Sequence, residues 1–214
     1  LADNFSFTAA DGVGGSLLET NFNLTVIPAN DNPVLVKNGV TVAEGGDVTI
    51  GNGNLAATDV EDTAAQLTYV LDVLPSQGGV LLNGVALGLG GQFTQGDVDA
   101  GVLVYRHDGS ETVADSFSFH ITDSQGGTLA TTALPITITA GNDAPVWSLP
   151  GAQSIDEDVD TDITGISFSD ADLGGGNASV TAMVAHGTVT LSATAGLTFD
   201  AGGNGTATWT VSGT

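Results

Sequence analysis

The sequence predicts an all-β chain of tandem Greek-key sandwiches, and three observations lead there. Short runs of β-branched and aromatic residues alternate with polar ones, while no stretch of ten residues carries a 3.6-residue period. Gly, Asn and Asp break these runs at the spacing of sandwich turns, with 31 glycines in 214 residues. Residues 3–35 also align without gaps onto residues 115–147, 112 positions later. A period that long is a domain-sized unit rather than a solenoid turn.

Taken in order, the repeat divides the chain into residues 1–30 (the C-terminal part of a module), residues 31–142 (a complete module) and residues 143–214 (the N-terminal part of a further one). Leu1-Ala2-Asp3 opens inside a strand-like run, so the chain is expected to be an excerpt of something longer. Within the complete module, strands are expected over residues 40–42, 48–50, 67–71, 80–82, 102–105, 117–121 and 136–138, the count of an immunoglobulin-like sandwich. The modules meet at Asn30-Asp31-Asn32-Pro33 and again at Asn142-Asp143-Ala144-Pro145. Asn and Asp fold back on their own backbone and Pro drives the residue before it to extended geometry, so neither stretch continues a helix.

Charge narrows the partners. Two basic side chains face 25 acidic ones, for a formal charge of -23. Phosphate binding needs Lys and Arg to displace counterions, which excludes nucleic acid, and an anionic membrane surface is disfavoured for the same reason. With 41% hydrophobic residues the chain is too apolar for a disordered acidic tail, so it folds. No apolar run is long enough to span a bilayer, so no membrane insertion is expected. The absence of Cys fits an exported protein without a disulfide scaffold. Divalent cations are the partners such a surface calls for.

The carboxylates gather where strands of a sandwich would end. Glu44, Asp108 and Glu111 are expected at one rim of the complete module, beside Asn142-Asp143. Asp59, Glu61 and Asp123 are expected at the other, beside Asn30-Asp31-Asn32. Calcium takes six to eight oxygens from carboxylates, amide carbonyls and backbone, which these rims supply. Asp72, Asp97 and Asp99 are read instead as ordinary turn and surface acids. The acidic run from Asp156 to Asp162 fails as an EF-hand: counted from Asp158, position six is Ile163 and position twelve is Ser169.

These positions together resemble the cadherin calcium-binding layout. On that resemblance Glu44 and Glu157 stand as base glutamates, Asp59/Glu61 and Asp170/Asp172 as the Asp-x-Asp pair, and Asp11 and Asp123 as the late aspartate. The complete module resembles the chondroitin sulfate proteoglycan repeat, a cadherin-like family, through the Phe93–Gly101 stretch, Tyr105-Arg106-His107-Asp108-Gly109-Ser110-Glu111 and Asp115-Ser116-Phe117-Ser118-Phe119. The last part, around Gly165–Asp172 and Ala185-His186-Gly187, is similar to modules of giant bacterial surface adhesins. The pattern departs at Pro28 and Ala140, where the cadherin linker has Asp, and at Ala144, where it has Asn. The resemblance implies a calcium-stiffened rod, extracellular, whose partners are neighbouring modules of the same chain. Two other readings stay open: direct binding of a glycan or protein, and head-to-tail self-assembly by strand exchange between end modules.

Catalysis is not expected. His107, Asp108 and Ser110 crowd one loop, whereas triad members converge from separate elements on a nucleophile with an oxyanion hole. His107, His120 and His186 share no zinc-ligand spacing. Trp147 and Trp209 are expected in the sandwich core. Asn4-Phe5-Ser6 and Asn23-Leu24-Thr25 match glycosylation sequons, a pattern that chance supplies readily.

Overall fold

A computed structural model describes residues 2–214, which form two compact units, one up to residue 140 and one over 141–214. The first unit opens on a hairpin of β1 (Ala2–Ala10) and β2 (Ser16–Thr25), which among the described residues pair only with each other. The chain then runs through β3 (Val34–Asn38), β4 (Val40–Ala43), β5 (Asp47–Thr49), β6 (Leu55–Thr58), β7 (Thr68–Val73), β8 (Gly78–Leu82), β9 (Val85–Ala86) and β10 (Gln92–Thr94). A short helix α1 (Gln95–Asp99) leads to β11 (Leu103–His107), β12 (Ala114–Thr122) and β13 (Thr128–Thr139).

Two sheets face each other in this module. One has the order β10-β7-β12-β13-β4, the other β5-β11-β8-β9, with β3 and β6 as a separate pair. Alternation puts Tyr69, Leu71, Phe117, Phe119, Ile121, Leu134 and Ile136 of the first sheet against Val80, Leu103 and Tyr105 of the second, all buried in one core. Tyr69 stacks on Phe93 with ring centroids 4.7 Å apart. Burying each such side chain contributes about 1.5–3 kcal/mol, which makes this core the origin of the module's stability. All pairings of the larger sheet are antiparallel except one: β13 runs parallel to β4, with Ile136 opposite Val40 and Thr139 opposite Ala43.

The strands expected from the sequence are all present, and β3, β6, β9, β10 and α1 add to them. Leu55-Ala56-Ala57-Thr58 is poor in β-formers and pairs because tertiary contact overrides propensity. α1 is capped by Thr94, whose hydroxyl accepts from Asp97 N–H while the Asp97 carboxylate accepts from Thr94 N–H. Asp97 is thus a capping residue rather than a plain surface acid. Asp72 likewise has partners, His120 Nδ1 at 2.8 Å and Thr131 Oγ1 at 2.6 Å, and Asp99 accepts from the buried Gln95 amide at 2.9 Å.

The repeat holds at the level of hydrogen bonds. β1 and β2 slip register between Phe7 and Ala9, and β12 and β13 slip at the matching Phe119 and Ile121. In both hairpins an aspartate closes the turn: Asp11 N–H donates to Gly15 O at 3.0 Å, and Asp123 N–H to Gly127 O at 3.1 Å. The surroundings differ. Phe117 and Phe119 are fully buried, whereas their counterparts Phe5 and Phe7 are 52% and 51% exposed.

The second unit holds β14 (Val146–Ser148) paired with β15 (Ser167–Ser169), and a sheet β16-β18-β17 from β16 (Ala178–Met183), β17 (Thr198–Ala201) and β18 (Thr208–Gly213). Trp209 is buried as expected, with its indole N–H donating to Val189 O at 3.0 Å. Trp147 is not. It lies half-exposed in an edge-on contact with Phe168, because among the described residues β15 is the only strand paired with β14. Among the described residues no helix is long and apolar enough to cross a membrane.

Candidate functional site

The acids of the first joint all belong to the first unit. Asp59 follows β6, and its Oδ1 accepts from Glu61 N–H at 2.9 Å and Asp62 N–H at 3.0 Å, a tight Asx turn. That turn aims Glu61 back at the linker, where its Oε2 accepts from Asp31 N–H at 3.2 Å. Asp62 reaches the turn after β12, accepting from Ser124 N–H and Oγ. The β6 loop, the linker and the β12–β13 turn therefore form one rim.

Asp123 anchors the other side of that rim. It is 8% exposed. Its Oδ1 accepts from Gln125 and Gly127 N–H, both at 2.8 Å, and its Oδ2 from Asn30 Nδ2 at 2.9 Å. Burial raises this carboxyl, but Asn30 and the backbone donors of residues 125–127 outweigh burial and hold it below the usual carboxylate range. Asn32 Oδ1 accepts from Thr128 N–H at 3.1 Å. Gly127 is required here by space: a Cβ on it would stand 2.6 Å from Asn30 Nδ2 and 2.7 Å from Asn32 Oδ1, and closer still to Asp123 Oδ2.

One atom of the rim is left over. Asp59 Oδ2 is buried and has no hydrogen-bond partner. Leaving a buried acceptor without a donor costs about 1–3 kcal/mol, and more for a charged one. A cation beside it offsets that cost, and the surrounding oxygens suit a hard ion such as calcium. Asp59, Glu61 and Asp123 do not converge within 4.8 Å as one three-carboxylate group among the described residues; Asn30-Asp31-Asn32 bridges them instead.

The other acids of the complete module are only partly brought together. Glu44 and Glu111 carboxylate oxygens lie within 4.8 Å of each other. Asp108 is not in that group: its Oδ1 accepts from Ser110 N–H at 2.9 Å, and its bonds to Ser110 hold the carboxyl below its ordinary range. In the second unit the first joint's contacts recur. Asp172 N–H donates to Asp170 Oδ1 at 3.0 Å, as Glu61 does to Asp59, and Asp143 N–H donates to Asp172 Oδ2, as Asp31 does to Glu61. Asn142 Nδ2 donates to Asp143 O at 2.9 Å. Glu157 lies exposed in a turn beside Asp158, whose φ is +61°. Sequence reasoning missed the space requirement at Gly127 and the Asp62–Ser124 tie. The Asp-x-x-x-Gly recurrence at Asp11/Gly15 and Asp123/Gly127 was the signal for the first.

Residues 33–138 match the family model described as cadherin-like. Human FRAS1-related extracellular matrix protein 1 is 32% identical over 142 residues, covering 66% of this chain and 6% of its own length. Extracellular matrix protein 3 of Lytechinus variegatus is 33% identical over 121 residues, 56% of this chain and 4% of that protein. Human chondroitin sulfate proteoglycan 4 is 33% identical over 106 residues, 49% of this chain and 4% of that protein. The chain thus spans 4–6% of these relatives' lengths. Drosophila N-cadherin EC1-4 aligns over 98% of this chain and 48% of its own at 16% identity, with a TM-score of 0.36. The first two relatives are extracellular matrix proteins by name, in agreement with the extracellular location expected from the sequence. By sequence match and by its two facing sheets, the stretch from residue 33 to residue 138 is a cadherin-like domain.

Proposed function

We propose that the chain is a calcium-stiffened structural segment of a large extracellular adhesion protein, in which successive cadherin-like modules hold a rod away from the surface that bears them. The observation that carries this reading is Asp59 Oδ2, a buried carboxylate oxygen without a donor, on a rim where Asn30, Asp31 and Asn32 are tied to Asp123, Glu61 and Thr128. At the first joint the ligands are Asp59, Glu61, Asp123 and the oxygens of Asn30, Asp31 and Asn32. At the second, Glu44 and Glu111 act on the module side, while Asn142, Asp143, Asp170 and Asp172 act on the side that follows; Asp108 and Glu157 are peripheral. Calcium neutralises part of the -23 charge and favours the ordered joint by mass action. The setting in a giant bacterial adhesin rests on the resemblance of the last 70 or so residues. Calorimetric titration with calcium, with small-angle scattering before and after chelation, tests the proposal. Chelation is expected to lower the melting temperature and broaden the distribution of shapes; unchanged curves remove the stiffening role.

We propose head-to-tail self-assembly as a second reading, beside completion of the end modules by flanking sequence of the same chain. The face of the β1–β2 hairpin that carries Phe5, Phe7, Phe22 and Leu24 is exposed, whereas the matching Phe117, Phe119, Leu134 and Ile136 are buried by the rest of their module. Strand donation of this hairpin to another copy would cover it. Sedimentation at rising concentration is expected to show a reversible increase in mass, and a strictly monomeric species excludes the exchange.

A further inference from the structure

Residues 103, 105 and 107 of β11 point inward, so His107 ends the strand with its side chain fully buried. A buried imidazole needs a partner at each nitrogen. Nδ1 lies 3.0 Å from Gly45 N and 3.2 Å from Gly109 N, and both are backbone N–H donors. Nδ1 therefore carries the lone pair. Nε2 carries the proton and donates to Thr112 Oγ1 at 3.1 Å. The His107 backbone N–H adds a bond to Gly46 O at 2.9 Å.

One residue thus fastens Gly45 and Gly46 in one loop to Gly109 and Thr112 in another. Gly45 and Gly109 have φ of +62° and +84°, the left-handed geometry that lets their N–H groups turn toward the ring. The two loops pass closely enough that a Cβ on Gly45 would meet Gly109 Cα at 3.9 Å. Glu44 directly precedes the first loop's anchor, and Glu111 stands between the two anchors of the second. Carboxylate oxygens of Glu44 and Glu111 lie within 4.8 Å of each other, so the spacing of the two loops fixes how far apart the acids stand. A histidine that only filled the core would not need all its bonds in the two loops that bear these acids.

We propose that His107 is a positioning residue for calcium held by Glu44 and Glu111: its imidazole, accepting at Nδ1 and donating at Nε2, sets the spacing of the two acids. This rests on the calcium reading above. The test uses the full chain with Asp59→Asn to weaken the first joint, and titrates calcium calorimetrically into that parent, its His107→Phe variant and its His107→Asn variant. Asn presents an oxygen near the place of Nδ1 and accepts the same N–H bonds. His107→Phe is expected to weaken calcium binding by about 10- to 100-fold, as loss of a ligand-orienting partner does, with His107→Asn restoring most of it. In chelator, imidazole nitrogen spectra of the parent are expected to show an unprotonated Nδ1 and a protonated Nε2. If His107→Phe does not fold, Thr112→Val, which removes only the Nε2 acceptor, is expected to weaken binding by roughly threefold or more. A parent that takes up no calcium overturns the calcium reading and the proposal with it. Undiminished binding in His107→Phe or in the fallback Thr112→Val, or a protonated Nδ1, overturns the positioning role alone.

Discussion

Replacing Gly127 by Ala tests the first joint with a single methyl group. The new Cβ would meet Asn30 Nδ2 at 2.6 Å, Asn32 Oδ1 at 2.7 Å and the Asp123 carboxylate still more closely, so all three must shift. Asp123 can turn its Oδ2 aside while Gln125 and Gly127 N–H hold its Oδ1. The linker moves as well, losing the Asn30–Asp123 bond at 2.9 Å and the Asn32–Thr128 bond at 3.1 Å. A hydrogen bond to a charged group contributes about 1.5–3 kcal/mol and a neutral one about 1. Water recovers part of that at this exposed linker, leaving a net loss of about 2–3 kcal/mol. At about 1.4 kcal/mol per tenfold, calcium affinity at the first joint should fall roughly 30- to 150-fold. Gly15→Ala is the matched control, since its Cβ would meet only the Asp11 carboxylate and no linker asparagine. Calorimetric titration of both variants with calcium decides the matter. Equal affinities for Gly127→Ala and the unmodified chain would refute the claim that Asn30 and Asn32 must sit on this rim.

Asp59→Asn should melt at or slightly above the temperature of the unmodified chain in chelator, because it removes a buried charged oxygen without a donor, and well below it in calcium; scanning calorimetry in both buffers shows whether the order reverses. Asp99→Ala should cost about 1–2 kcal/mol in urea unfolding, since it leaves the buried Gln95 amide without its 2.9 Å acceptor, yet leave calcium titration unchanged, whereas Asp143→Ala should do the opposite. Burial raises the Asp115 carboxyl, but the N–H groups of Ser76, Gln77 and Ser116 and the Tyr105 hydroxyl outweigh it and hold it below the ordinary value of 3.8. A depressed pKa gives stability that is fully present above the unfolded-state value, about 3.9, and lost as the pH falls through the lower folded-state value. Melting temperatures taken from pH 7 downward should therefore fall less steeply below about pH 4 in Asp115→Asn than in the unmodified chain.

Much of this was legible because the signals were periodic. Alternating runs such as Phe117-Ser118-Phe119 exposed the inward face of β12, and the 112-residue offset located a second copy of the same hairpin; the shared bulge at Phe7/Ala9 emerged only from the strand register. The Asp-x-Glu spacing of Asp59 and Glu61 was legible too, since an Asx turn is a local bond between near neighbours. What stayed hidden depends on contacts far apart in sequence. Asp62 meets Ser124 across 62 residues, and Gln95 is buried only because Tyr69 and Ala57 both use its Oε1. Trp147 shows the converse: its size argued for the core, but burial needs facing strands, and among the described residues only β15 pairs with β14.

The parallel pairing of β4 and β13 has a mechanical consequence. β4 lies near the module's entry and β13 is its exit, so tension on the two ends pulls these neighbours in opposite directions along their length. Once β3 has been drawn off β6, the rungs from Ile136 opposite Val40 to Thr139 opposite Ala43 are loaded together, joined by the Glu44 N–H bond to Thr139 O at 2.9 Å. Bonds sheared in parallel fail as a group, whereas bonds at a peeling end fail singly. Unfolding under force is a rate process rather than an equilibrium one, so this short parallel patch sets how long the module endures a pull independently of how stable it is at rest.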